Sequence, residues 1–149
     1  MSDVPNRPAE DRQNFGDAPP PVLVVEDEML IQMLAVEYVE ELGFPAETAS
    51  SAAEARVKLA GLHGRAAAVV VDVGLPDESG DVFVKALRAA YPNLPIVFAS
   101  GQSEAGLRDR FKGYPAMSFL AKPYVLEQLR TALAEAGVLA QSATRLGNR

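Results

Sequence analysis

The stretch VVVDVGLPDESG, residues 69–80, decides how the chain is read. Val69, Val70 and Val71 are β-branched and apolar in succession, the pattern of a strand buried on both faces. The run ends at Asp72, followed by Gly74, the Leu75-Pro76 pair and a cluster of small residues. Aspartate starts turns well. Asp72 is therefore either a turn residue or a carboxylate held at a strand tip for chemistry, and the ends of the other strands separate the two.

Outward from this stretch, short apolar runs alternate with helical patterns. PVLVV (21–25), a short weak strand within PAETAS, AAAVVV (66–71), PIVFAS (95–100) and MSFLA (117–121) read as strands. Between the first two, Ile31, Leu34, Ala35, Tyr38 and Leu42 recur at helical spacing, and Gly43 stops that helix. Ser51 and Glu54 form a capping box ahead of a helix that runs to about Ala60. A helix from about Ser79 to Ala90 presents Val82, Phe83, Ala86 and Leu87, and 124–137 is amphipathic with a glycine stop. EAGLRDRFKG also fits a helix, weakened by Gly106. Strands alternating with helices predict a doubly wound, five-stranded parallel sheet in a three-layer α/β/α sandwich. In such sheets ligands bind outside the carboxyl ends of the strands.

At those ends stand Glu26-Asp27, Asp72, Ser100-Gly101 and Lys122-Pro123. Each alone is an ordinary turn or surface residue; together they converge on one surface. Carboxylates forced together repel unless a cation intervenes. Mg²⁺, which takes oxygen ligands and keeps waters, resolves the conflict. Asp72 is then a carboxylate nucleophile toward a phosphoryl group, Lys122 a second positive charge for that group, and Ser100 a hydroxyl donor to it.

Composition bounds the alternatives. The chain has 149 residues, 48% apolar and 23% charged, with a net charge of −6. That size fits one domain. The acidic balance argues against a nucleic-acid surface, no run of about 18 apolar residues suggests a membrane span, and the N-terminus lacks the apolar core of a secretory signal. With no cysteine, disulfides and thiolate metal sites are excluded. The single histidine, His63 in GLHGR, reads as a solvent-facing turn residue without a role. These features favour the cytoplasm. Residues 1–20, with four prolines, and 138–149 read as flexible tails around a body at 21–137.

LVVEDE (23–28), DVGLPDESG (72–80), FASG (98–101) and FLAKPY (119–124), in this order and spacing, resemble the receiver domain of bacterial two-component response regulators. The resemblance covers the whole body and implies a flavodoxin-like receiver fold. It makes Asp72 the phosphoacceptor and Glu26 and Asp27 the acidic pair, with Asp27 the more direct metal ligand. Glu26, where Asp is also common, has a longer arm that acts through water. The Gly74 backbone carbonyl completes the Mg²⁺ site with Asp72, Lys122 binds the phosphoryl group, and Ser100 senses it. Pro123 follows a peptide bond that is often cis in the family. Phe119 lies where an aromatic switch residue sits, with a plain core aromatic as the other reading. FASG also resembles an alphaproteobacterial single-domain subgroup ending Phe-Ala-Thr-Gly, but Ser replaces its Thr and GQS lacks the Tyr that follows there.

On this resemblance the chain is a single-domain regulator, not an enzyme beyond its own phosphorylation and dephosphorylation. A sensor histidine kinase or histidine phosphotransfer protein donates the phosphoryl group, and the output is a changed protein–protein surface. A phosphate sink or relay, and a phosphate-independent interaction module, are the alternatives. Ile31, Leu34, Pro123 and Tyr124 are candidates for docking the donor, with core packing as the other reading of Leu34. Gly74 and Gln102 flank the approach of a hydrolytic water. A phosphatase of the haloacid dehalogenase kind would need an Asp where Gly74 stands, and EDEM (26–29) is no phosphate-binding loop for a flavodoxin-like cofactor binder.

Overall fold

The computed structural model describes residues 19–101 and 104–140, with no side-chain description for 104 and 105. Ten elements alternate: β1 (Val22–Val25), α1 (Met29–Glu41), β2 (Ala46–Ala49), α2 (Ala52–Gly61), β3 (Ala68–Asp72), α3 (Gly80–Ala90), β4 (Ile96–Ser100), α4 (Glu104–Arg110), β5 (Met117–Ala121) and α5 (Leu126–Glu135). All pairings are parallel, in the order β2-β1-β3-β4-β5. This is the doubly wound parallel sheet expected from the alternation, in the flavodoxin-like receiver architecture that the resemblance implies.

Side-chain alternation along the strands sorts the core into two layers. Leu23, Val25, Val69, Val71, Ile96 and Phe98 face α2, α3 and α4, and meet Leu59, Phe83 and Phe111. Val22, Val24, Val70, Val97 and Ala99 face α1 and α5, and meet Val39, Leu42, Leu129 and Leu133. Every residue of β1, β3 and β4 is buried, as central strands covered on both faces must be.

On two helices one residue of the expected face turns to solvent. On α1 the buried set is Gln32, Ala35 and Val39, while Leu34 is 48% exposed. On α3, Phe83, Val84 and Leu87 are buried, and Val82 faces solvent. Aliphatic residues lie on both sides of the true face, so spacing alone could not choose between neighbouring stripes.

Three helices end in the same motif. Beyond α1, Gly43 (φ 98°) donates to Glu40 and Phe44 donates to Val39. Beyond α5, Gly137 (φ 102°) and Val138 donate to Ala134 and Leu133. Beyond α2, His63 (φ 56°) and Gly64 donate to Ala60 and Leu59. Each is a Schellman ending, in which a left-handed residue satisfies the last carbonyls. Val138, placed among tail residues by the sequence reading, is seated in the second core layer as the apolar residue of its motif.

At α2, the hydroxyl of Ser51 accepts from the Glu54 amide at 3.1 Å, as the capping box predicts. The return bond falls one residue early, with Glu54 Oε1 accepting from the Ser50 amide at 2.8 Å. Among the described residues no helix is long and apolar enough to cross a membrane.

Candidate functional site

β1 pairs with β2 on one side and β3 on the other, so the winding reverses between β1 and β3. A crevice opens there at the carboxyl ends. Glu26 and Asp27 leave β1 at this point, and Asp72 is the last residue of β3, in register with Ala99. One oxygen from each of the three carboxylates lies within 4.8 Å of the others. Glu26 and Asp72 are buried and Asp27 is exposed.

Lys122, just beyond β5, reaches into this cluster. Its Nζ lies 2.9 Å from Asp72 Oδ1, 3.2 Å from Glu26 Oε1 and 3.9 Å from Glu28 Oε1. Its backbone amide donates to the Ser100 carbonyl at 2.7 Å, and the Lys122-Pro123 peptide is cis. Burial pushes the Glu26 carboxyl up, with the Asp72 charge adding to it, against the Glu28 amide bond and the Lys122 ammonium. The Lys122 ammonium is held above its ordinary range: desolvation, the largest influence, opposes this, and the bonds and charges of Asp72 and Glu26 outweigh it.

The donor set consists of hard carboxylate oxygens, and a single ammonium among several carboxylates leaves negative charge over. That is the chemistry a divalent cation such as Mg²⁺ takes, and the acidic triad fits one of the receiver type.

Ser100 ends β4 and is buried. A Cβ at Gly74 would lie 3.7 Å from Asp72 Oδ2, so this residue stands directly beside the carboxylate. Phe119 is 8% exposed, packed near Phe111 at 6.3 Å between centroids, with the Arg108 guanidinium 5.3 Å over its ring. Tyr124 is half-buried against Tyr38, ring centroids 6.2 Å apart. Its phenol is pushed well above the ordinary range by burial first, then by the Glu26 charge. Pro123 is exposed and Ile31 half-buried. Gln102 lies outside the described residues.

Sequence reasoning missed three groups. Gln32, a polar residue on the buried face of α1, donates its amide to the Glu26 backbone carbonyl at 2.8 Å. Asp77 caps α2 from the loop beyond β3. Met29, Leu30 and Met33, in the opening turns of α1 that follow Glu26-Asp27, and Val125, three residues beyond Lys122, are 54–75% exposed. The apolar run MLIQML directly after three acids was the available signal for this last group.

The sequence matches the family "Response regulator receiver domain" over residues 22–134. It is 32% identical over 114 residues to the sensor kinase CckA of Brucella abortus, covering 76% of this chain and 12% of that protein. It is 31% identical over 112 residues to the transcriptional regulatory protein PdtaR of Mycobacterium tuberculosis, covering 75% of this chain and 54% of that one. The chain thus spans from about an eighth to about half of the curated relatives it matches first. Among solved structures, a sensor protein from Polaromonas sp. JS666 superposes with TM-score 0.69 at 32% identity, covering 78% of this chain and 94% of that one. The chemotaxis protein CheY4 of Vibrio cholerae gives 0.71 at 28% identity, covering 80% and 99%. These matches point to the family as a whole and to no subgroup.

Proposed function

The chain belongs to the response regulator receiver domain family, and from that we propose that it is a phosphorylation switch whose acceptor is Asp72. The observation that carries the reading is the convergence of Asp72 and Glu26 on the Lys122 ammonium, at 2.9 and 3.2 Å, at the point where the winding reverses. A carboxylate nucleophile, a cation to receive the transferred group and a pocket for a metal meet there.

Glu26, Asp27, Asp72 and the Gly74 carbonyl would hold Mg²⁺, which when bound neutralises charge on the transferred phosphoryl oxygens. Asp72 attacks phosphorus with one carboxylate oxygen. The bond to the donor's nitrogen or oxygen breaks, and its electrons leave with the donor. Lys122, held by its backbone to Ser100, moves its ammonium from the Asp72 oxygen to the new phosphoryl oxygen. The Ser100 hydroxyl donates to another. Phe119, buried on the adjacent strand, responds to that inward movement as the switch aromatic.

A histidine kinase or histidine phosphotransfer protein is the donor. Two similar proteins, named a sensor kinase and a sensor protein, support this partner. Its docking surface is formed by the exposed Met29, Leu30, Met33, Leu34, Pro123 and Val125 with the half-buried Ile31 and Tyr124. The output is a changed protein–protein surface, and the acidic crevice offers no nucleic-acid contact.

Incubation with acetyl phosphate and Mg²⁺, read by intact mass, tests the reading. One phosphate adduct is expected, lost in Asp72→Asn; an adduct that persists in that variant refutes Asp72 as acceptor. Tyr124 packs on Tyr38, so the exposed Leu30 is the cleaner docking probe. Leu30→Ser should slow transfer from a protein donor and leave acetyl phosphate labelling intact. Equal slowing with both donors would count against this surface.

A further inference from the structure

The loops that carry the metal-site residues lean on one short turn. Residues 50–53 are the two-residue link from β2 and the first two residues of α2. From the loop beyond β3, Asp77 accepts from the Ala52 amide on Oδ1 and from the Ala53 amide on Oδ2, each at 2.9 Å. From α1, Gln32 donates to the Glu26 carbonyl at 2.8 Å and reaches Ser50 Oγ at 3.5 Å. The Glu26 amide donates to the Ala49 carbonyl, just ahead of the same turn, at 3.0 Å.

Elsewhere the acceptor loop is held near its ends, by Leu75 packed in the first core layer and by Glu78. The Val73 amide bonds the Ala99 carbonyl at 3.0 Å and the Gly80 amide the Val73 carbonyl at 2.9 Å. Glu78 makes a two-bond pair with Arg56 at 2.6 and 3.0 Å, which ties the loop to the second turn of α2 and not to the turn 50–53. The two short bonds of Asp77 go to helix amides that have no partner within the helix, and they tie the loop to the turn itself.

We propose that the turn 50–53 is the common brace of the metal site, with Asp77 and Gln32 as positioning residues. Asp77 fixes where the Gly74 carbonyl stands, and Gln32 fixes the Glu26-Asp27 loop. Neither reaches the reacting atoms. The inference rests on the metal reading given above. Groups that orient metal ligands change affinity by about 10–100-fold when lost, and coupling between brace and metal is reciprocal.

The test is a Mg²⁺ titration of the full chain followed by amide NMR shifts, with hydrogen exchange at Ala52 and Ala53. Asp77→Ala should weaken Mg²⁺ by about tenfold, and Asp77→Asn, which keeps one acceptor oxygen, should recover part of it. Gln32→Met should also weaken binding, and its combination with Asp77→Asn should lose less than the product of the two because both act through one turn. Glu78→Ala, on the same loop, should bind as the wild type does. In the wild type, Mg²⁺ should slow exchange at Ala52 and Ala53. Unchanged Mg²⁺ affinity in folded Asp77→Asn and Gln32→Met overturns the brace while leaving the metal site standing, even if Asp77→Ala fails to fold. A wild type that shows no Mg²⁺ response overturns the metal reading and the brace with it.

Discussion

Glu26 carries the cost of the site most directly. Its carboxyl is buried, and burial raises it above the ordinary glutamate value of 4.5. A carboxyl whose folded value exceeds its unfolded one binds more proton when folded, so stability falls as pH climbs from 4.5 through the folded value. Glu26→Gln keeps an acceptor for the Glu28 amide and removes the ionisation. In the presence of EDTA its melting temperature should fall less steeply across that window than that of the wild type; equal slopes would place the cost elsewhere. The carboxylates and Lys122 were legible as residues because each closes an apolar run. Gln32 and Asp77 were not, since their partners lie 6 and 24–25 residues away and a long-range hydrogen bond leaves no local pattern.

Among the elements, α2 ends on the least favourable residue. His63 takes the left-handed position at φ 56°, which costs a side-chain-bearing residue about 1–2 kcal/mol. It is exposed and turned out of the fold, so its place in the chain, unremarkable from sequence, is that of a helix terminator. His63→Gly should raise stability by about 0.5–1 kcal/mol, the larger chain entropy of glycine offsetting part of the gain; denaturant unfolding checks it, and a loss would mean that the imidazole makes a stabilising contact. Element order and a doubly wound parallel sheet were legible because strand and helix periods alternate; the strand order β2-β1-β3-β4-β5 was read only from the structure. The edge of the buried face on α1 and α3 was not legible: Leu34 and Val82 are as apolar as Val39 and Val84, and packing alone chose between them.

For the whole molecule, two close-packed layers stabilise a sheet whose one end gathers like charges. Asp27 is the exposed member of the triad, so Asp27→Asn relieves repulsion at little packing cost. Without metal it should melt above the wild type. With Mg²⁺ the wild type should gain stability, about 2.7 kcal/mol at a hundredfold excess over Kd, and the variant should gain far less; a full gain in the variant removes Asp27 from the ligands. The two glycines of the acceptor loop meet opposite constraints. A Cβ at Gly80 would fall 2.8 Å from Phe98 Cε1 and from the Val73 Cα, whereas at Gly74 its nearest neighbour would be Asp72 Oδ2 at 3.7 Å. In a saturation library sorted for folded protein, position 80 should collapse to a single letter and position 74 should keep a broad alphabet. Sorted instead by how long the phosphoryl label persists, the letters at position 74 should spread into a graded timer. Asn, whose amide can hold a water against phosphorus, belongs at the short end. Two sites six residues apart would then be tuned by selection on unrelated properties, one on whether the protein exists and the other on how long it remembers a signal.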